Sequence, residues 1–297
     1  MILRVTNKIF SFERIVPSFF LNIFGLQVFR YILAKLIYNF RYSNFKKNKI
    51  SQEVKSRGYS QIDNFLDKDE FGLVKLEFDK IISSELSSNI QNEGTIYLSC
   101  KIDDTFEKNF PNIFKLFKNS KIRENFESCE GKKNIEVYCR LERIYLNDSS
   151  IEDITKNYHY DTFHNTFKAW LYLTDVKLEN GPLVIIPGSS LFSLRRLLFE
   201  FIESIKFSFL RLIGKIKDYR NGDKNVFSSK NYQYFRIANS KKILFDRVAK
   251  NFICNKNTLV FVNTHALHRR GDAVVGKNRD SVHFYTRTNP FELRVIN

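Results

Sequence analysis

The sequence predicts a mainly β protein with flanking helices, folded as a double-stranded β-helix, the cupin-like jelly roll. Two observations support this prediction. Strand-length runs rich in Val, Ile, Tyr and Phe fill the chain after residue 95, and helical patterns precede them and interrupt them once. A chain of 297 residues that is 43% hydrophobic and 15% aromatic can also bury a large core.

Residues 1–50 are expected to form a basic, apolar, helical segment. They hold nine Lys and Arg residues against one acid, Glu13, and therefore carry a charge of +8. The stretch "IVPSFFLNIFGLQVFRYILAKLIYNFRY" (15–42) has large hydrophobic residues all around a helix. Arg30 and Lys35 interrupt it, so the apolar run is too short to span a membrane, and no cleavage site of a signal peptide follows.

Residues 51–297 are expected to form the main domain, with a helical insertion at about 191–230. The domain opens with a short strand and a helix in 56–82, where Asp67 is a candidate N-cap and Glu70 completes a capping box. The strand-like runs that follow are "GTIYLSC", "IEVYCRLERIYL", "FKAWLYLTDV", "PLVIIPG", "NTLVFVNT" and "SVHFYTRT". The segment "LENGP" (178–182) predicts a turn between two of them.

The insertion begins with an amphipathic pattern at 191–217, "LFSLRRLLFEFIESIKFSFLRLIGKIK", which carries a charge of +4. Together with residues 1–50 it holds +12 of the net +16. Two interpretations are open: both helices pack on the core with solvated basic faces, or 15–42 and 191–217 contact an anionic membrane peripherally. No nucleic acid is expected as a partner, because the basic residues are interleaved with large aliphatic ones.

The four cysteines, Cys100, Cys129, Cys139 and Cys254, form no CxxC pair. This usage indicates free thiols in a reducing compartment. The expected location is therefore the cytoplasm, with the peripheral membrane contact as an addition.

The stretch "NYHYDTFHN" (157–165) contains two of the five histidines. In a strand, residues two apart point to the same face, so His159 and Asp161 can hold one metal ion. Two histidines and one carboxylate on one octahedral face leave three positions open, as in non-haem Fe(II) sites. His-x-Asp alone is a weak signal, and a third ligand must come from elsewhere.

The wider context strengthens the signal. An apolar strand in "NTLVFVNTHALHRRGD" (257–272) precedes His268, and Arg279 follows eleven residues later. With "GYSQIDNFL" and "YLTDVKLENGPLVIIPGS" (172–189), these motifs resemble the phytanoyl-CoA dioxygenase family of Fe(II)/2-oxoglutarate oxygenases, over roughly residues 56–288. One departure is Ser190, where that family usually has a histidine that is not a metal ligand.

The resemblance implies three cofactors and co-substrates: Fe(II), 2-oxoglutarate and O2. It makes His159, Asp161 and His268 the iron ligands and Arg279 the partner of the distal carboxylate of 2-oxoglutarate. A guanidinium offers that carboxylate two parallel N–H donors. Ser281 lies two residues on, on the same strand face, and is expected to donate a further hydrogen bond.

Further residues are candidates for the pocket wall or for substrate contact. They are Arg143, Lys168, Trp170, Tyr172, His283 and Arg287, the last also being the rival anchor for 2-oxoglutarate. His265 lies three residues before His268, so strand geometry sends it to the opposite face and disfavours it as a ligand.

The expected function is a 2-oxoglutarate-dependent hydroxylase that acts on an unactivated C–H bond of a small or amphiphilic substrate, such as an acyl, lipid-linked or sugar-containing molecule. Related halogenases replace the carboxylate ligand with a small residue, so Asp161 favours hydroxylation. Two alternatives stay open. One is a metal-dependent, cupin-like isomerase or lyase without 2-oxoglutarate, and the other is an inactive fold that serves as a membrane-associated assembly protein.

Overall fold

The computed structural model describes residues 10, 13–92, 94–148, 154–214, 236–237 and 242–293. Of the expected insertion at about 191–230, the part from 215 onward lies outside the described residues. Eight α-helices are present in the described part. They are α1 Phe19–Ile23, α2 Leu26–Ser43, α3 Lys49–Arg57, α4 Lys68–Ile82, α5 Pro111–Phe117, α6 Ser120–Glu130, α7 Leu194–Leu212 and α8 Lys242–Asp246.

Ten β-strands form two sheets in the same part of the chain. They are β1 Tyr59–Ile62, β2 Ser88–Asn92, β3 Thr95–Ile102, β4 Val137–Leu146, β5 Phe167–Tyr172, β6 Leu183–Ile185, β7 Lys250–Asn251, β8 Thr258–Asn263, β9 His268–Arg270 and β10 Asn278–Thr286. The major sheet has the order β1-β8-β5-β10-β4-β3-β2, and the minor sheet has the order β7-β6-β9. All named pairs are antiparallel. Every strand-like run identified in the sequence lies on one of these strands.

Two apolar layers flank the major sheet. One face packs against helices α2 to α6 in a large core that includes Phe78, Phe126 and Phe284. The other face meets the minor sheet, where Val260 and Ile185 belong to a second core cluster. A twisted major sheet with a shorter sheet across it is the jelly-roll arrangement, so the predicted fold class is confirmed.

The N-terminal helices are joined to this core. Tyr38 of α2 packs near Phe167 of β5, with ring centroids 6.1 Å apart, and Arg41 donates to the carbonyl of Glu292 over 2.8 Å. Gly25 separates α1 from α2 in the left-handed region, at φ +83°, which only glycine adopts without strain. Asp67 is the N-cap of α4 as expected, since its carboxylate accepts from the Glu70 amide.

Helix α7 is amphipathic, but it buries its polar face and exposes its apolar face, the opposite of a helix that packs on an apolar core. Its buried residues are Arg196, Glu200, Ser204 and Ser208. Its exposed residues include Leu194, Leu198, Ile202, Phe209 and Leu212. The expectation that a packed α7 would turn its basic face to solvent holds only in part. Arg195 and Lys206 are exposed, but Arg196 and Glu200 face inward and an apolar row faces out.

No described helix is both long enough and apolar enough to cross a membrane. The four cysteines are unpaired thiols. Burial raises the pKa of Cys254 to about 11, so this thiol stays protonated at neutral pH.

Candidate metal centre and its pocket

Backbone pairing brings the three predicted metal ligands together. The segment around His159 runs antiparallel to β9, with His159 N donating to His268 O over 2.9 Å and His268 N donating to His159 O over 3.1 Å. The Asp161 amide donates to Thr264 O. This pairing extends the minor sheet by one bridge, and it places side chains 109 residues apart in sequence on one face.

The ligand atoms form a compact triangle. Nε2 of His159 and Nε2 of His268 each lie 3.5 Å from Oδ1 of Asp161. One ligand atom from each residue lies within 4.8 Å of the others. Two imidazole nitrogens and one carboxylate oxygen at this spacing fit a divalent first-row metal such as iron.

Hydrogen bonds fix the tautomer of both histidines. His159 Nδ1 lies 2.8 Å from Asn157 O, and His268 Nδ1 lies 2.9 Å from Ala266 O. A carbonyl can only accept, so each Nδ1 carries the proton and each Nε2 keeps its lone pair for a metal. Arg236 also approaches His159 Nδ1, at 3.0 Å, but a protonated Nδ1 cannot accept from it, and the guanidinium donates instead to Asn157 O.

Electrostatics keep the set in its metal-binding protonation state. Burial, together with His268 and Arg236, holds the pKa of His159 well below its usual value, so the ring is neutral. Burial opposes ionisation of Asp161, but the adjacent Lys168 ammonium outweighs it and holds the pKa of that carboxyl well below its usual value. Neutral imidazoles and an ionised carboxylate are the forms that bind metals.

Lys168 pairs with one of the two carboxylate oxygens of Asp161 and leaves the other one facing the histidines. Its Nζ lies 2.8 Å from Oδ2 of Asp161, whereas Oδ1 is the oxygen that faces the two imidazoles. The ion pair therefore orients Asp161 so that one oxygen is left for a metal.

The triad opens into a cavity of about 230 Å³ between the two sheets. Its wall combines apolar, aromatic and charged side chains. The lining residues other than the triad are Tyr97, Glu142, Ile144, Thr155, Lys168, Trp170, Tyr172, Leu183, Arg269, Arg270, Arg279 and His283.

Arg279 is the candidate anion anchor in this cavity. It is buried on β10 and donates to Gly181 O in the turn before β6. Its Nε, and Oγ of Ser281 two residues on, are buried atoms with no hydrogen-bond partner in the described part of the chain. Two unsatisfied donors on one strand face fit the carboxylate of a bound co-substrate.

The rival anchor lies elsewhere. Arg287 follows the last residue of β10, is exposed, and lines a separate cleft with Lys132 and Asn289. The structure therefore places Arg279 in the cavity with the triad, and it places Arg287 outside.

The other predicted wall residues on β5 and β10 line the cavity. Lys168, Trp170 and Tyr172 alternate along β5, and His283 faces Trp170 across the strand pair. The His283 and Trp170 rings stack, with centroids 4.8 Å apart and an angle of 7°. His283 Nδ1 lies 3.2 Å from Oε1 of Glu142, which orients the imidazole in the wall.

Arg143 does not reach the cavity, so its predicted contact with co-substrate or substrate is wrong. Its Nε donates to Oδ1 of Asp280 over 2.8 Å and its Nη2 to Asp79 over 2.7 Å, on the helix-covered face of the major sheet. The alternation of β4 explains the error. Val137, Cys139 and Leu141 are buried on that face, and Arg143 continues their parity.

The alternation of β4 also places Glu142 in the cavity, a residue that is not among the candidates from the sequence. Glu142, one residue before Arg143, lies on the cavity face of β4. Arg269 and Arg270 were noted only as part of a motif, yet both line the cavity. Partners hold each of them: Arg269 pairs with Asp246 at 3.0 Å, and Arg270 donates to Thr95 Oγ1 over 2.6 Å.

His265 is not part of the triad. It is fully buried, and its Nδ1 lies 3.2 Å from Thr162 O on the α7 side of the loop. Its ring centroid is 5.7 Å from that of Tyr31. His265 is separate from His268 as expected, but because it lies in the turn between β8 and β9 and not because of strand alternation.

No family model and no curated protein matches the sequence. Solved structures do match. The non-haem, α-ketoglutarate-dependent epimerase SnoN from nogalamycin biosynthesis is 16% identical and has a TM-score of 0.50, with 80% of this chain and 82% of that chain covered. The non-haem, α-ketoglutarate-dependent carbocyclase SnoK from the same biosynthesis is 15% identical and also has a TM-score of 0.50, with 82% and 84% covered.

The fold is that of these α-ketoglutarate-dependent enzymes. At such low identity the similarity concerns the fold, and α-ketoglutarate is another name for 2-oxoglutarate. The narrower resemblance to the phytanoyl-CoA dioxygenase family stays a prediction.

Proposed function

We propose that this protein is an Fe(II)- and 2-oxoglutarate-dependent oxygenase. The observation that carries the proposal is the His159, Asp161 and His268 triad in one cavity with Arg279. Both imidazoles present Nε2, the carboxylate presents Oδ1, and the guanidinium offers a free buried donor. The proposal is supported by the fold, which is also that of the α-ketoglutarate-dependent enzymes SnoN and SnoK.

Each residue has one task in this proposal. His159, Asp161 and His268 would hold the iron, which with 2-oxoglutarate and O2 supplies the oxidising power, with release of succinate and CO2. Arg279 and Ser281 bind the distal carboxylate of 2-oxoglutarate and so fix its orientation. Lys168 holds Asp161 in place, and Trp170 and Leu183 give the cavity wall an apolar part.

Hydroxylation of an unactivated C–H bond is the reaction that we propose. It is supported by the intact carboxylate ligand Asp161, which occupies a coordination position that would otherwise be open to a halide. The substrate that we propose is a small or amphiphilic molecule. Trp170, Tyr172 and Leu183 offer it an apolar wall.

The test is succinate formation by the iron-loaded protein from 2-oxoglutarate, measured without and with candidate amphiphilic substrates. Asp161→Ala is expected to abolish it, because the triad loses its only anionic ligand. Asp272→Ala is the matched control, since this exposed aspartate lies four residues from His268 but outside the triad. Full succinate formation in Asp161→Ala would overturn the assignment.

A further inference from the structure

The outer surface formed by α1, α7 and the turn before α2 is apolar. We define the outer face as Phe20, Phe24, Leu194, Leu198, Ile202, Phe209 and Leu212. Phe24 is 87% exposed, Leu194 is 75% exposed and Phe20 is 71% exposed. On α7 the members recur at helical spacing, so they lie in one stripe along the helix.

The two helices form one surface. The Phe19 and Phe209 rings lie 5.5 Å apart, and Phe19 contacts Phe20 at 5.9 Å. Polar contacts also join the two helices: Asn22 Nδ2 lies 3.3 Å from Ser208 Oγ and 3.4 Å from Ser204 O.

A buried polar network holds this reversed arrangement. Arg196 Nε donates to Glu200 Oε1 over 2.9 Å, and Gln27 of α2 donates to Glu200 Oε2 over 2.8 Å. Glu200 and Arg196 are both almost fully buried. Arg196 and Glu200 reach these protein partners only with the polar row inward, so the network holds the apolar row on the outside.

Positive charge accompanies the outer face. Arg195 and Lys206 are exposed on α7 beside the apolar stripe. Arg30 and Arg41 of α2 and Arg196 of α7 are buried, so Arg195 and Lys206 supply the exposed positive charge beside the stripe. An apolar stripe with basic neighbours matches the layers of an anionic lipid surface, with acyl chains below and phosphates above.

We propose that the outer face docks on an anionic membrane surface. Phe20, Phe24 and the leucines enter the acyl boundary, and Arg195 and Lys206 meet the lipid phosphates. This proposal stands on the helices alone and does not depend on the proposed oxygenase activity. It also gives a physical reason for the reversed helix, since an exposed apolar stripe is unfavourable in water and favourable at this interface.

Helix α7 also contacts the segment that carries the ligands His159 and Asp161. Arg196 donates from Nη2 to Thr162 O over 2.9 Å, and its guanidinium lies 3.5 Å from the ring centroid of Tyr160, between His159 and Asp161. A membrane bound to one side of α7 would therefore lie one helix away from the cavity.

The experiment is vesicle flotation of the full chain with phosphatidylcholine vesicles and with vesicles that also contain phosphatidylglycerol. The protein is expected to float with the anionic vesicles, and to lose part of this binding at high salt. The variant Phe24→Ser/Leu198→Ser/Ile202→Ser is expected to bind anionic vesicles at least about tenfold more weakly, because apolar contact area is lost.

One control variant and one charge-reversal variant make the result specific. Leu73→Ser/Leu76→Ser removes exposed leucines from α4 and is expected to float like the original protein. Arg195→Glu/Lys206→Glu is expected to reduce the preference for phosphatidylglycerol. Equal flotation of the triple variant, or no flotation of the original protein with anionic vesicles, would overturn the proposal.

A protein partner is tested in the same preparation. Light scattering without lipid is expected to show the same mass for the original protein and the triple variant. A dimer that the triple variant converts to monomer would show that a second copy covers the outer face, and this would also overturn the proposal. Equal melting temperatures of both proteins establish that the triple variant is folded.

Discussion

Nζ of Lys168 lies 2.8 Å from Oδ2 of Asp161, the carboxylate oxygen that faces away from the two metal-binding imidazoles. The lysine is therefore a positioning residue for the metal ligand. It also favours the ionised carboxylate that a metal requires. Lys168→Ala is expected to weaken Fe(II) binding by about 10–100-fold, the usual effect of losing a group that orients a ligand.

The measurement for Lys168 is anaerobic competition for Fe(II) against a chelator over a range of pH. Without the lysine, protons are expected to compete more strongly for Asp161, so the pH at which half the iron is lost should rise. Lys168→Arg keeps the charge and should restore most of the affinity. Unchanged iron affinity in Lys168→Ala would show that the ion pair does not position the ligand.

Arg279 is expected to determine the affinity for 2-oxoglutarate. Removing one partner of a buried charge pair costs about 2–5 kcal/mol, so Arg279→Ala should raise the KM for 2-oxoglutarate by about 30-fold or more. Arg287→Ala is the matched control, because this arginine follows the same strand but is exposed and lies outside the cavity. Steady-state succinate kinetics measure both variants, and a larger KM effect from Arg287 would reverse the assignment.

Lys35 is expected to make stability depend on pH. Burial, with Arg196 and Lys55 nearby, lowers the pKa of Lys35 to about 7 from 10.5, and its Nζ donates to Asn165 Oδ1 and Ser190 O. Between pH 7 and 10.5 the unfolded chain binds a proton that the folded chain has released. The free energy of unfolding is therefore expected to rise with pH through this window, and the full cost of the buried charge is present below it.

Chemical unfolding of Lys35→Met and of the original protein tests this dependence. The variant lacks the titrating group, so its stability relative to the original protein should fall as pH rises from 7 to 10. Lys80→Met, at an exposed position on α4, controls for the general effect of removing one charge. A stability difference that stays constant with pH would contradict the prediction.

Gly271 is expected to be required by a close approach of β9 to the turn before β6. A Cβ at Gly271 would lie 2.8 Å from Cδ and 3.0 Å from O of Pro182. Gly271→Ala should therefore cost about 1–3 kcal/mol of unfolding free energy through overpacking. Thermal melting also tests Gly72→Ala in α4, which has open space and should gain about 0.5–1 kcal/mol from lower backbone entropy. Equal effects of the two substitutions would disprove the steric argument.

Local sequence pattern predicts much of the fold and the centre of the site. The β-rich runs, the His-x-Asp spacing and the distance from His268 to Arg279 are local signals, and the structure brings these residues into one cavity. Helix α4 and its cap at Asp67 are local for the same reason.

The remaining features depend on which face of an element meets which neighbour. Arg143 was placed on the wrong face because its strand partners were not known, although the apolar parity of β4 already indicated the helix-covered side. The reversed burial of α7 depends on partners such as Asn22 and Gln27, more than 170 residues away in sequence. The pairing of Lys168 with Asp161 could not be predicted either, because it depends on how the loop between them folds.

Anaerobic titration of the metal-free protein with Fe(II) and then 2-oxoglutarate, followed by visible absorption, tests the metal centre and the co-substrate site most directly. We expect a weak charge-transfer band that appears only after both additions. Arg279→Ala should shift this band to much higher 2-oxoglutarate concentration, and Arg287→Ala should not. Iron binding without any band would contradict the oxygenase proposal in favour of a cupin-like reaction without 2-oxoglutarate. Absence of iron binding would contradict the metal centre itself.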